Sequence, residues 1–163
     1  MKRPILHIII LLAIISFGSC SPDPVQEVEF SDFFQNVADN IILPRYSNFD
    51  NALSDLNLEL NNFNNSELSS LETLQQKFID TYLSWQTVSA FEFGPAGEIS
   101  VLLRSNINNF PTDASRIEFN IENNDYNLDA ASNYSAKGLP ALDYILFHAS
   151  QDELISELSD ESR

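Results

Sequence analysis

Between Tyr46 and Phe63 the apolar residues Tyr46, Phe49, Leu53, Leu56, Leu60 and Phe63 follow one another at steps of 3, 4, 3, 4 and 3. That rhythm places them on one narrow face of an α-helix; a strand, whose side chains alternate with period two, would scatter them over both faces. Phe33 or Phe34, Val37 and Ile41 keep a similar spacing upstream, and Pro44 is expected to kink or restart the helix between the two segments. Asn61, Asn62, Asn64 and Asn65 close the pattern. Ser69, with Glu72 three residues later, reads as a capping box. Leu71, Leu74, Phe78, Tyr82 and Trp85 then form the stripe of a second helix running to about Phe91. Two long amphipathic helices joined by a short polar loop predict an antiparallel pair.

Gly94-Pro95-Ala96-Gly97 ends the second helix, and Asn106, Asn108, Asn109, Pro111 and Asn123-Asn124-Asp125 interrupt the pattern beyond it. Short helices are predicted over 98–103 and 114–121, the second with Asp113 near its N-terminus. Helix resumes after Gly138, with Pro140 in a first turn where its missing N–H is harmless. Leu142, Ile145, Leu146, Ala149, Ile155 and Leu158 read as the stripe of that one helix. The nearest approach to a strand, 99–103, is too short to weigh, and no repeat of fixed period occurs. The fold class expected is all-α, an antiparallel helical bundle.

The N-terminus reads as an export address. Met1-Lys2-Arg3 precedes an apolar run from Ile5 to Phe17, shorter than the roughly 20 residues of a membrane span. Phe17-Gly18-Ser19-Cys20 then resembles the bacterial lipobox, with Phe17 standing where leucine is usual. On that reading residues 1–19 are a lipoprotein signal peptide and Cys20 carries the lipid. Residues 20–28 are an extended tether, and 29–163 form the helical domain. The alternative is an ordinary secretory signal with an incidental cysteine. The membrane, reached through lipidated Cys20, is the first expected partner.

Composition removes most enzyme classes. With 24 acidic residues against 8 basic ones the formal charge is −16, so nucleic acid is not an expected partner. The four glycines, Gly18, Gly94, Gly97 and Gly138, cannot assemble a phosphate-cradling loop. One cysteine and two histidines, His7 and His148, exclude a disulfide framework, a cysteine-rich zinc site and a His-x-x-x-His metallopeptidase.

Three segments carry a family resemblance. Tyr82-Leu-Ser-Trp85-Gln-Thr-Val-Ser-Ala-Phe-Glu92-Phe-Gly94-Pro95-Ala96 resembles the W…E-F-x-F-G-P segment of the imelysin family. Asn108-Asn-Phe-Pro111-Thr-Asp113, followed by Ile117-Glu118, is similar to that family's next segment. Gly138-Leu-Pro140-Ala-Leu-Asp143 falls where imelysins carry Gly-x-His-x-x-Glu. The resemblance covers Val28 to the C-terminus. It implies an all-α fold of two helical halves, of which only the first is expected here, with the chain incomplete at its C-terminus. It also implies export to the bacterial envelope, with lipid anchoring and outer-membrane delivery.

Departures from the signature shape the functional expectation. Its His position is Pro140, which has no lone pair for a metal and no proton to move, and its Glu position is Asp143. His148 lies five residues beyond Asp143, about 500° of helical rotation, so the two are expected on different faces. The resemblance makes Trp85, Glu92, Gly94, Pro95, Gly138, Pro140 and Asp143 the ligand-binding candidates, with no catalytic residue assigned. Iron or another divalent cation is the cofactor to consider, on carboxylates alone: Asp143 with Glu92 or Glu98. Each residue also has a plain structural reading: core aromatics for Trp85, Phe91 and Phe93, an ion pair of Glu92 with Arg104 or Lys137, a turn at Gly94-Pro95, a helix start at Gly138. The function expected is a noncatalytic envelope binding protein associated with iron or haem uptake. The alternatives are an imelysin-type metallopeptidase and a helical adaptor for another envelope protein.

Overall fold

The computed structural model describes residues 29–124 and 126–159. The expected signal peptide (1–19), the lipid attachment at Cys20 and the tether (20–28) lie outside them. Two compact units divide the chain between Phe34 and Gln35. In the first, the Phe34 ring centroid lies 6.0 Å from that of Phe30 and 5.6 Å from that of Phe33. The second unit carries the bundle.

Helix α1 (Ser31–Val37) is followed in sequence by a π-helical turn (Ala38–Ile42), then α2 (Leu43–Asn62) and α3 (Leu68–Val88). Beyond them come a 3-10 turn (Gly94–Gly97), α4 (Leu103–Ile107), α5 (Ala114–Asn123), a second 3-10 turn (Ala131–Ala136), α6 (Leu139–Phe147) and α7 (Gln151–Leu158). No strand occurs among the described residues, and none of their helices is long and apolar enough to cross a membrane.

The α2 and α3 stripes meet as an antiparallel pair, and four contacts set the register. The Tyr46 hydroxyl donates to the Phe91 carbonyl at 3.1 Å, and the Phe49 and Trp85 rings lie 5.4 Å apart. Farther along, the buried Thr81 hydroxyl is 3.0 Å from the Ala52 carbonyl, and Lys77 pairs with Asp55 at 2.9 Å. As one chain ascends the other descends, turn by turn. Phe49, Leu56, Leu71, Leu74, Phe78, Trp85 and Val88 are buried along this seam, and Leu139, Leu146 and Leu154 close it from α6 and α7. Each such side chain contributes about 1.5–3 kcal/mol relative to exposure. The Gln75 amide donates to the Leu146 carbonyl at 2.7 Å and so ties the end of α6 to α3. A smaller cluster, Ile117, Ala136 and Ala141, joins α5, the second 3-10 turn and α6.

Several local expectations are corrected. The restart expected at Pro44 is found instead of a break: the π turn ends at Ile42 and α2 opens at Leu43 with Pro44 in its first turn, where a missing N–H is tolerated. The π turn just before it, closed by the Leu43 N–H on the Ala38 carbonyl, widens the backbone where a proline ring would otherwise crowd the preceding turn. Ser69 does not cap α3. Glu67 is the extended residue before the helix, and the loop is organised by Asn64, whose side-chain oxygen accepts from the Ser66 N–H (3.1 Å) and hydroxyl (2.7 Å). The α3 helix also stops at Val88 rather than Phe91.

The helix expected over 98–103 forms later, as α4, after Leu102 adopts φ +40°. The stretch after Gly138 is two helices, not one. Ser150 opens α7 with a true capping box: Glu153 accepts from the Ser150 N–H at 3.0 Å while its own N–H faces the Ser150 hydroxyl at 3.4 Å. For α5 the expectation holds, with the Asp113 carboxylate accepting from the Arg116 N–H at 3.0 Å.

Candidate functional site

The signature residues gather where α6 begins, and Gly138 decides how closely α6 can approach α4. Its backbone has φ +78° and ψ −168°, a region essentially reserved for glycine. A Cβ there would collide with the Ile107 carbonyl. The neighbouring segment is stitched down through backbone carbonyls. Asp113 N–H and the Thr112 hydroxyl both donate to the Ser135 carbonyl, at 2.8 and 2.9 Å, and the Asn109 amide donates to the Tyr134 carbonyl at 2.7 Å. These anchors leave Phe110 outside, 81% exposed.

Tyr82 from α3, Phe110 and Thr112 from this segment, and Pro140 and Asp143 from α6 enclose a cleft of about 130 Å³. Pro140 is buried and forms an apolar wall; Asp143 is exposed and, among the described residues, is the only charged side chain lining the cleft. No hydrogen bond or ion pair to Asp143 occurs among the described residues.

The remaining candidates lie elsewhere. Trp85 is buried in the bundle core, 2% exposed, and offers no open face to a ligand. Glu92 is an internal clamp: its carboxylate accepts from the Arg104 N–H at 2.9 Å and from Nε at 2.8 Å, and Arg104 reaches on to the Ser89 carbonyl. Those Arg104 hydrogen bonds hold the Glu92 carboxyl below its ordinary range. Gly94, at φ +57°, and Pro95 form the exposed 3-10 turn that redirects the chain after α3. Gly138 positions the cleft without lining it. Tyr82, Phe110 and Thr112 stand inside the segments that carry the family resemblance, yet no spacing rule singles them out.

The carboxylates proposed together for a metal are not brought to one cleft by the described residues. Glu92 is engaged with Arg104 and does not line the Asp143 cleft, and neither does Glu98. Among the described residues, no three His, Cys, Asp or Glu side chains gather to hold a metal ion. The described residues do not supply the three protein ligands that a catalytic zinc takes beside its open position.

His148 opens onto a different and larger cavity of about 240 Å³, floored by Ile121, Ile145, Leu154 and Leu158. There its Nε2 lies 3.1 Å from Glu157 Oε2, its ring stacks on Tyr144 at 4.7 Å, and the Tyr144 hydroxyl donates to Glu118 at 2.9 Å. Asp143 and His148 thus serve separate cavities, as their rotation about α6 requires.

The family model described as imelysin matches residues 42–161, a span that includes every residue of both cavities. No curated protein and no solved structure matches the chain.

Proposed function

The chain belongs to the imelysin family, and from that premise we propose that it is a noncatalytic binding protein of the cell envelope. The observation that carries this reading is the Pro140–Asp143 pair. A buried pyrrolidine stands where the resemblance puts the signature's imidazole, and among the described residues no second carboxylate or imidazole lines the cleft beside Asp143. Peptide hydrolysis by a metal needs a polarising ion with an open coordination position and a group to take the proton from water. Proline supplies neither. Recognition rather than turnover is the chemistry this cleft supports.

The resemblance and the N-terminal sequence support a setting in the envelope. Cys20 is the proposed lipid attachment, with outer-membrane delivery and a part in iron or haem uptake, exercised through binding rather than through a metal centre of its own. Several acyl chains at about 0.8 kcal/mol per buried methylene would hold such a protein at the bilayer.

The test uses the full-length chain in detergent, measured for bound divalent metal and for peptide hydrolysis with and without a chelator. The expected result is neither stoichiometric metal nor chelator-sensitive cleavage. Cleavage that a chelator abolishes would overturn the reading.

A helical adaptor is the second reading. It is favoured by apolar side chains left exposed on α3 and α6: Ile79 at 39%, Leu83 at 55% and Phe147 at 39%. Under it, Leu83→Lys abolishes association with an envelope partner.

A further inference from the structure

We propose that the cleft bounded by Tyr82, Phe110, Thr112, Pro140 and Asp143 takes an organic monocation, a primary ammonium or guanidinium group on a short alkyl stem. This rests on the noncatalytic binding reading and names the ligand class of that same site.

Charge accounting comes first. The chain is formally −16, so its field draws cations toward any concave acidic surface. Every cation among the described residues is already engaged. Lys77 pairs with Asp55 and Arg104 with Glu92. Arg45 lies over the Phe91 ring at 5.5 Å and Arg116 over Phe119 at 5.3 Å. Lys137 donates to Asn106 and sits 4.4 Å above the Tyr134 ring. None lines the cleft, and among the described residues Asp143 has no cationic partner, so its carboxylate is open to a cationic ligand.

The walls decide which kind of cation fits. A hard metal ion seeks about six or more oxygen ligands. Here the lining residues offer one carboxylate, and the Thr112 hydroxyl is already turned to the Ser135 carbonyl. An organic cation asks less of its oxygens and more of its surroundings. Two aromatic rings and a proline accommodate its alkyl skirt, and aromatic walls attract the charge itself. A cleft of about 130 Å³ suits a single headgroup rather than a large ligand. The described residues make the same cation–ring contact internally, with Arg45 on Phe91, Arg116 on Phe119 and Lys137 on Tyr134.

Such a group has two sources: a free small molecule, or an arginine or lysine side chain of another protein. The probes are n-butylguanidine, a monocation at neutral pH, and a capped Gly-Arg-Gly peptide, titrated by calorimetry or NMR into the full-length chain in detergent. Asp143→Asn should weaken binding by about fivefold or more, and Phe110→Ala by about threefold. Both positions are exposed, so neither change threatens the fold. Glu122→Gln, an equal change in net charge away from the cleft, should leave affinity unaltered. Tighter binding of n-butylguanidine assigns the source to free cations, and tighter binding of the peptide assigns it to a protein side chain. The proposal is overturned if neither probe binds, or if Asp143→Asn and Glu122→Gln weaken binding equally. Either result leaves the noncatalytic assignment intact, since that falls only on chelator-sensitive hydrolysis.

Discussion

Replacing Gly138 with alanine should separate α6 from α4 and open the cleft, and its cost follows from two observations. The backbone at φ +78° and ψ −168° lies in territory that costs an alanine about 1–3 kcal/mol. The added Cβ would also press on the Ile107 carbonyl, a backbone atom that cannot swing aside, and such overpacking costs about 1–3 kcal/mol more. The sum is about 3 kcal/mol or more. With about 2.1 cal/mol/K of unfolding entropy per residue over a unit of about 130 residues, that lowers Tm by about 10 °C. Gly94 is the internal comparison: it too has positive φ, at +57°, but a Cβ there meets nothing within 4 Å. Gly94→Ala should therefore cost about 1 kcal/mol, or about 4 °C. Urea and thermal unfolding of the two variants beside the parent chain measure the difference. Equal losses would refute the reasoning, because they would show that close approach to Ile107 plays no part in seating α6.

Other outcomes rest on single contacts. Glu92→Gln should destabilise the chain at pH 7, with the deficit shrinking below about pH 4. A carboxyl held low by Arg104 contributes stability above its unfolded pKa and loses that contribution as pH falls through the folded value; denaturant midpoints across pH would read it, and a deficit that grows in acid would contradict the clamp. Ser150→Ala should cost about 1 kcal/mol by removing the α7 capping box, and the same change at Ser69 should cost far less. Cys20→Ala should release the chain from the membrane fraction, a fractionation result that persistent membrane association would contradict.

Much of the bundle was legible because periodicity is a local property. The stripes from Tyr46 to Phe63 and from Leu71 to Trp85 appear as neighbouring faces, and their polar link allows only an antiparallel return. Where signals competed, the sequence misled. Ser69 and Glu72 fit a cap, but Asn64 had already bent the chain and Ser69 entered the helix. Ser150 and Glu153 fit the same pattern and were masked by an apolar stripe that continues across the break, because α7 returns Leu154 to the same core.

Helical spacing alone assigned Asp143 and His148 to different faces, since rotation per residue is set by backbone hydrogen bonding and needs no neighbour. Which groups accompany Asp143 was a tertiary matter. Tyr82 and Phe110 stand 61 and 33 residues before it in the chain. They reach it only because Ser135 and Tyr134 hold the Thr112 segment by carbonyls that every residue possesses, and because Gly138 lets two backbones touch. Side-chain period is written in the order of residues; contact between distant backbones depends on shape, and shape exists only once the chain has closed.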